Sequence, residues 1–227
     1  MQSNQDVNGI VRVIIRFTES DTKNKQEKQN EQSESESTLS LAQVTSSLES
    51  LWRQIQDKQS CKQVIRVPKL LQSLIALVTF RLGTHLREQT DLLRLKVRRQ
   101  SRLCLYWIQD YGNEQYQTDL VNVGYGRATS ISLSTAGGVG EEKDAEIKDG
   151  FDHIYYFLRQ LHDGRNEWYP SFQPLPLLAR NTEEQMEEEG ANEEIEAQMN
   201  NNGINGNINS YANYVKVVIL NHFIRRG

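Results

Sequence analysis

The sequence predicts an α+β fold, and three observations carry that expectation. β-Branched runs stand near both ends of the chain, "GIVRVIIRF" over residues 9–17 and "YVKVVILNHFI" over 214–224. Between them, the residues from Pro68 onward hold the strongest helical periodicity in the chain. Two stretches, 18–37 and 181–209, are too polar to offset the entropy of ordering them. The expected architecture is central long amphipathic helices packed with a small sheet that includes the terminal strands. It forms a single domain over residues 1–227, interrupted by two disordered insertions. Hydrophobic residues make up 37% of the chain, so only about 130–150 residues are expected to build the core.

The elements follow in order. Residues 9–17 read as a strand buried on both faces, with Arg12 and Arg16 as its polar positions. Residues 18–37 contain no apolar side chain and read as a disordered linker. Its end, "SESES", sets Ser33, Ser35 and Ser37 among acids, a pattern that suits an acid-directed kinase as well as a plain solvated linker. A helix is expected over 39–56, because Leu41, Val44, Leu48, Leu51, Trp52 and Ile55 recur at three- and four-residue steps, with Thr38 or Ser40 as its cap. From Pro68, the residues Leu71, Ile75, Val78, Leu82, Leu86, Leu93, Val97 and Cys104 form one stripe, and Arg87, Arg94, Arg98 and Arg102 form a second one facing away from it. A break is expected at Gly83-Thr84, since a mid-helix glycine costs about 1 kcal/mol. Beyond Arg102, "LCLYWI" is apolar on every side.

Further on, Asp119–Val123 and Thr129–Ser134 read as two short strands joined through Gly124 and Gly126. Residues 151–161 read as a short helix with Phe151, Ile154, Tyr155, Leu158 and Leu161 on one face. Pro170, Pro174 and Pro176 then impose an extended segment over the core. The 181–209 insertion holds eight glutamates between Glu183 and Glu196 and ends in an Asn-rich tract. Residues 214–224 close the chain as a strand.

The formal net charge of −4 favours neither nucleic acid nor membrane, but its distribution is uneven. From Lys62 to Arg102 there are ten bases and two acids, leaving −12 for the rest of the chain. The opening residues show no signal-peptide pattern, and the longest apolar-rich run, 70–80, is too short to span a bilayer. Two cysteines and no glycosylation sequon point to an intracellular protein, of nucleus or cytoplasm.

No catalytic constellation emerges. There is no Gly-x-Ser-x-Gly, and Cys61 and Cys104 lack a local signature. His153 and His162 lie beside Asp152 and Asp163, yet nine residues separate them and set them on opposite sides of a helix, which does not suit one metal. "GGVGEEK" follows its last glycine with glutamates where a phosphate loop needs lysine and a hydroxyl, and "GYG" lacks the third glycine of a dinucleotide fingerprint. No enzyme activity, cofactor, metal or small-molecule substrate is therefore expected. The expectation is a non-enzymatic subunit or adaptor of a multiprotein complex. It would meet an acidic partner through the basic positions Arg87, Arg94, Lys96, Arg98, Arg99 and Arg102. The alternative is a nucleic-acid-associated protein using the same residues on phosphates, with Tyr106, Trp107 and Tyr111 available to stack on bases.

Overall fold

A computed structural model describes residues 2–27, 38–81, 88–134, 144–166, 170–200 and 208–224. It is built from helices. Among the described residues there is no strand, and the one β-type pairing is an isolated bridge between Arg165 and Phe172. The α+β expectation is therefore wrong in its β part. The chain divides into two compact units, residues 1–111 and 112–227.

The first unit holds α1 (Gln2–Glu27), α2 (Thr38–Ile55), α3 (Lys58–Val64), α4 (Leu70–Val78) and α5 (Glu88–Tyr111). α1 takes the place of the N-terminal strand and continues ten residues into the stretch expected to be disordered. Its buried residues are Val7, Val11, Ile14 and Thr18, at steps of four, three and four, while Arg12, Arg16 and Glu19 face solvent. β-Branched residues are poorer helix formers, but burial of one helical stripe outweighs a few tenths of a kcal/mol each. Thr18 then ties α1 to α4 by a 2.9 Å hydrogen bond from its hydroxyl to Ser73 Oγ. Arg81, just past α4, pairs with Asp21 at 2.9 Å. α2 buries Leu41, Val44, Leu48, Leu51 and Ile55, as its spacing predicts. The expected break at Gly83-Thr84 lies outside the described residues, as do Ser33, Ser35 and Ser37, but α4 already ends at Val78.

The second unit holds α6 (Glu114–Asn122), α7 (Tyr125–Ser134), α8 (Asp144–Asp163), α9 (Pro176–Glu188), α10 (Ala191–Gln198) and α11 (Ile208–Ile224). Both strands expected between 119 and 134 are thus helical. Asn113 caps α6, its side-chain oxygen accepting from Tyr116 N at 3.2 Å. The 181–209 stretch is largely folded. Ala179, Thr182 and Met186 on α9, and Ala191 and Ile195 on α10, fall at three- and four-residue steps and are buried. Glutamate favours helix, so a sparse apolar stripe is enough to dock these segments. Gly190 divides them with φ 70°, a left-handed turn that any side chain would strain. The Asn-rich 201–207 tract lies outside the described residues. The C-terminal strand is replaced by α11, which buries Ile208, Ala212 and Val215 against α8 and α10. The core of the unit adds Leu133, Phe151, Ile154 and Leu158, with Tyr125 edge-on to Phe157 at 4.8 Å.

Candidate functional site: the outward face of α8 and α11

The basic residues expected to form a contact surface are not presented together. On α5, Arg94, Arg98 and Arg102 are 3%, 3% and 6% exposed, whereas Lys96 and Arg99 face solvent; Arg87 lies outside the described residues. The buried arc of α5 contains Thr90, Arg94, Val97, Arg98, Ser101, Arg102, Cys104, Leu105, Ile108 and Gln109. At 100° per residue Arg94 sits near the middle of that arc, so the inward face is rotated by about 80° from the apolar stripe read in the sequence. Arg94 lies 3.6 Å from Asp91, and Arg98 Nη1 donates to the Phe80 carbonyl at 3.3 Å. A phosphate-reading or acid-reading face needs guanidiniums in solvent. Three of the six expected contact residues instead satisfy buried positions within the fold, while Leu92 at the start of α5 is exposed.

The other candidate groups are buried as well. Cys61 and Cys104 are free, buried thiols, and Cys104 reaches the Leu48 carbonyl at 3.7 Å. Burial, reinforced by Asp110 and Asp57, pushes the Cys61 thiol up to about 12; burial, reinforced by Cys61, also raises Cys104. Neither supplies a thiolate nucleophile near neutral pH. His153 and His162 are buried on separate edges of α8, and His162 Nε2 lies 2.7 Å from Glu183 Oε1 of α9. Among the described residues no three of His, Cys, Asp and Glu come together to hold a metal ion, and no helix is long and apolar enough to cross a membrane.

What the sequence reading missed lies on α8 and α11. The apolar arc of α11 runs from Ala212 through Ile219, Ile208, Val215, Tyr211 and Val218 to Tyr214 and Val217, about 220° around the helix. Only part of it is covered. Tyr214 and Val217 are 54% and 51% exposed, and Tyr211 and Val218 are half-buried. α8 continues this surface. Its Tyr155 ring lies 5.9 Å from Tyr214 and 5.3 Å from Tyr156, and Tyr214 lies 6.1 Å from Tyr211. Lys148 places its ammonium 4.7 Å from the centre of the Tyr211 ring. Asp152, one turn before Tyr156, has its carboxyl pushed above the usual range, first by burial; Lys148 opposes the rise and Asp149 adds to it. Four phenols, two valines and a cation thus share one patch that combines aromatic area with polar tips. The width of the apolar arc was the available signal, hidden once 214–224 was read as a strand. No family model, no curated protein and no solved structure matches this chain.

Proposed function

We propose that the chain is a non-enzymatic, intracellular adaptor or complex subunit that binds another protein through the outward face of α11 and the adjoining tyrosines of α8. The observation that carries this reading is the uncovered half of the α11 apolar arc. A helix that is apolar over more than half its circumference and buried over only part of it leaves a seam that another chain can close. The fitting occupant is an amphipathic helix, laying apolar side chains across Val217 and Tyr214 while the phenol hydroxyls and Lys148 meet its polar edge. Tyrosine is well suited to this task, since it offers a large contact area for two rotatable bonds. Two cysteines, too few for a disulfide framework, support the intracellular part of the reading.

The test is a comparison of the wild-type chain with Tyr214→Asp/Val217→Asp, both positions being exposed and neither in the core. Light scattering after size exclusion, and recovery of partners from the source cells, are measured on both. A partner held by the wild type and lost by the double variant, with the melting temperature unchanged, supports the reading. A monomer that retains nothing, or a partner held equally by both proteins, contradicts it.

A further inference from the structure

The opposite flank of α11 borders a cleft of about 350 Å³, shared with α9 and α10. Its apolar lining is Met186, Ile195 and Ile219, and its charged lining includes Glu187, Glu196 and Lys216. Lys216 lies two positions beyond Tyr214, about 200° around the helix, so the cleft is separate from the tyrosine patch.

We infer that this cleft receives a lysine or arginine side chain from a basic amphipathic protein segment, its stem on Met186, Ile195 and Ile219 and its cation at Glu187. Charge complementarity selects that occupant. Between Pro176 and Gln198 there are eight glutamates and a single base, Arg180. Most of these acids are already matched. Arg180 holds Glu184 at 2.8 Å, Arg127 holds Glu188 and Glu189, and His162 holds Glu183. Among the described residues, Glu187 is the cleft-lining carboxylate with no ion pair. The chain also contains an example of the binding mode. Lys216 lines the same cleft and places its ammonium 2.9 Å from Glu196 Oε1. A long basic side chain combines the two demands of such a site, apolar stem and charged head. An acidic or purely apolar segment would leave Glu187 repelled or desolvated without a partner.

The experiment uses the full chain and two labelled amphipathic peptides, one of leucine and lysine and one of leucine and glutamate, read by fluorescence anisotropy at low and at raised salt. The leucine–lysine peptide is expected to bind, and Glu187→Gln to weaken it about tenfold, the lower range for one hydrogen bond to a charged group. Glu88→Gln, which removes the same charge from an exposed site on α5, is expected to leave the affinity unchanged. Glu187→Lys should in turn favour the leucine–glutamate peptide. Thermal melts confirm that each variant folds. The inference is overturned by any of three results: no binding of the basic peptide to the wild type, equal binding of the acidic peptide, or equal losses in Glu187→Gln and Glu88→Gln.

Discussion

The guanidinium of Arg165 lies 4.8 Å from the centre of the Phe172 ring, and the backbones of the same two residues exchange hydrogen bonds of 2.8 and 3.0 Å. Around this pair the second unit joins the end of α8 to the start of α9. Arg165 Nε donates to the Pro170 carbonyl at 2.8 Å, Nη1 reaches Gln160 at 3.4 Å, and Nη2 donates to the Gly112 carbonyl. One buried arginine therefore joins the end of α8, the proline-bearing segment and the residue that opens the unit. Gly164 precedes it with φ 75°, and a side chain there would run into the Phe172 carbonyl at 2.8 Å.

Arg165→Lys keeps the charge but loses the planar fork that reaches these acceptors at once. It is expected to destabilise the protein by about 2–4 kcal/mol, because buried carbonyls lose charged donors. Urea titration followed by circular dichroism measures this. A loss below the scatter of surface variants, about 0.5 kcal/mol, would show that the hub carries no weight.

The rotated face of α5 separates two neighbouring residues. Arg98 is buried and Arg99 is exposed. Arg98→Gln should cost about 2–3 kcal/mol, through a lost charged hydrogen bond and a poorly filled site, while Arg99→Gln should stay within about 0.5 kcal/mol. Equal effects at the two positions would restore the solvent-facing arginine stripe that the sequence suggests.

Helix and strand readings of residues 9–17 also make opposite demands. On a strand Val11, Val13 and Ile15 share a face; on α1 the buried set is Val11, Ile14 and Thr18. Ile14→Ala is expected to cost about 2–4 kcal/mol, and Val13→Ala distinctly less. Paired denaturation curves settle the order, and the reverse order would contradict α1.

The two buried thiols predict alkaline sensitivity. Both are raised in the folded chain, so above pH 9 the unfolded state has released protons that the folded state still holds. Stability then falls as pH rises, by about 1.4 kcal/mol per pH unit for each thiol, and the fall at Cys61 ends near its folded value of about 12. Below pH 9 the thiols are protonated in both states and contribute no slope. Cys61→Ala/Cys104→Ala, compared with wild type over this range, should lose that part of the slope; parallel pH profiles would refute the assignment.

How much of this was legible depended on whether local pattern and tertiary demand agreed. α2 was readable because Leu41, Val44, Leu48, Leu51 and Ile55 mark one face with no competing signal. Part of α8 was readable for the same reason, through Phe151, Ile154, Leu158 and Leu161. α1 and α11 were hidden by their β-branched residues, whose strand preference is weaker than the gain from burying a helical stripe. α9 and α10 were hidden by their glutamates, which drew attention from Met186 and Ile195. On α5 the leucines set the expected face. The register of Val97, Ser101, Cys104, Leu105 and Ile108, carried back up the helix, points instead to Arg94. The candidate partner surface was not legible at all, because it depends on which half of α11 its neighbours leave uncovered.

That surface can be addressed in living cells by placing a photo-crosslinking amino acid at position 214, with position 114 on α6 as an exposed control. The proposed function predicts a discrete adduct with another protein from 214, competed by the unlabelled wild-type chain and absent from 114. No adduct from 214, the same adducts from both positions, or a 214 adduct made only with a second copy of this chain would contradict it.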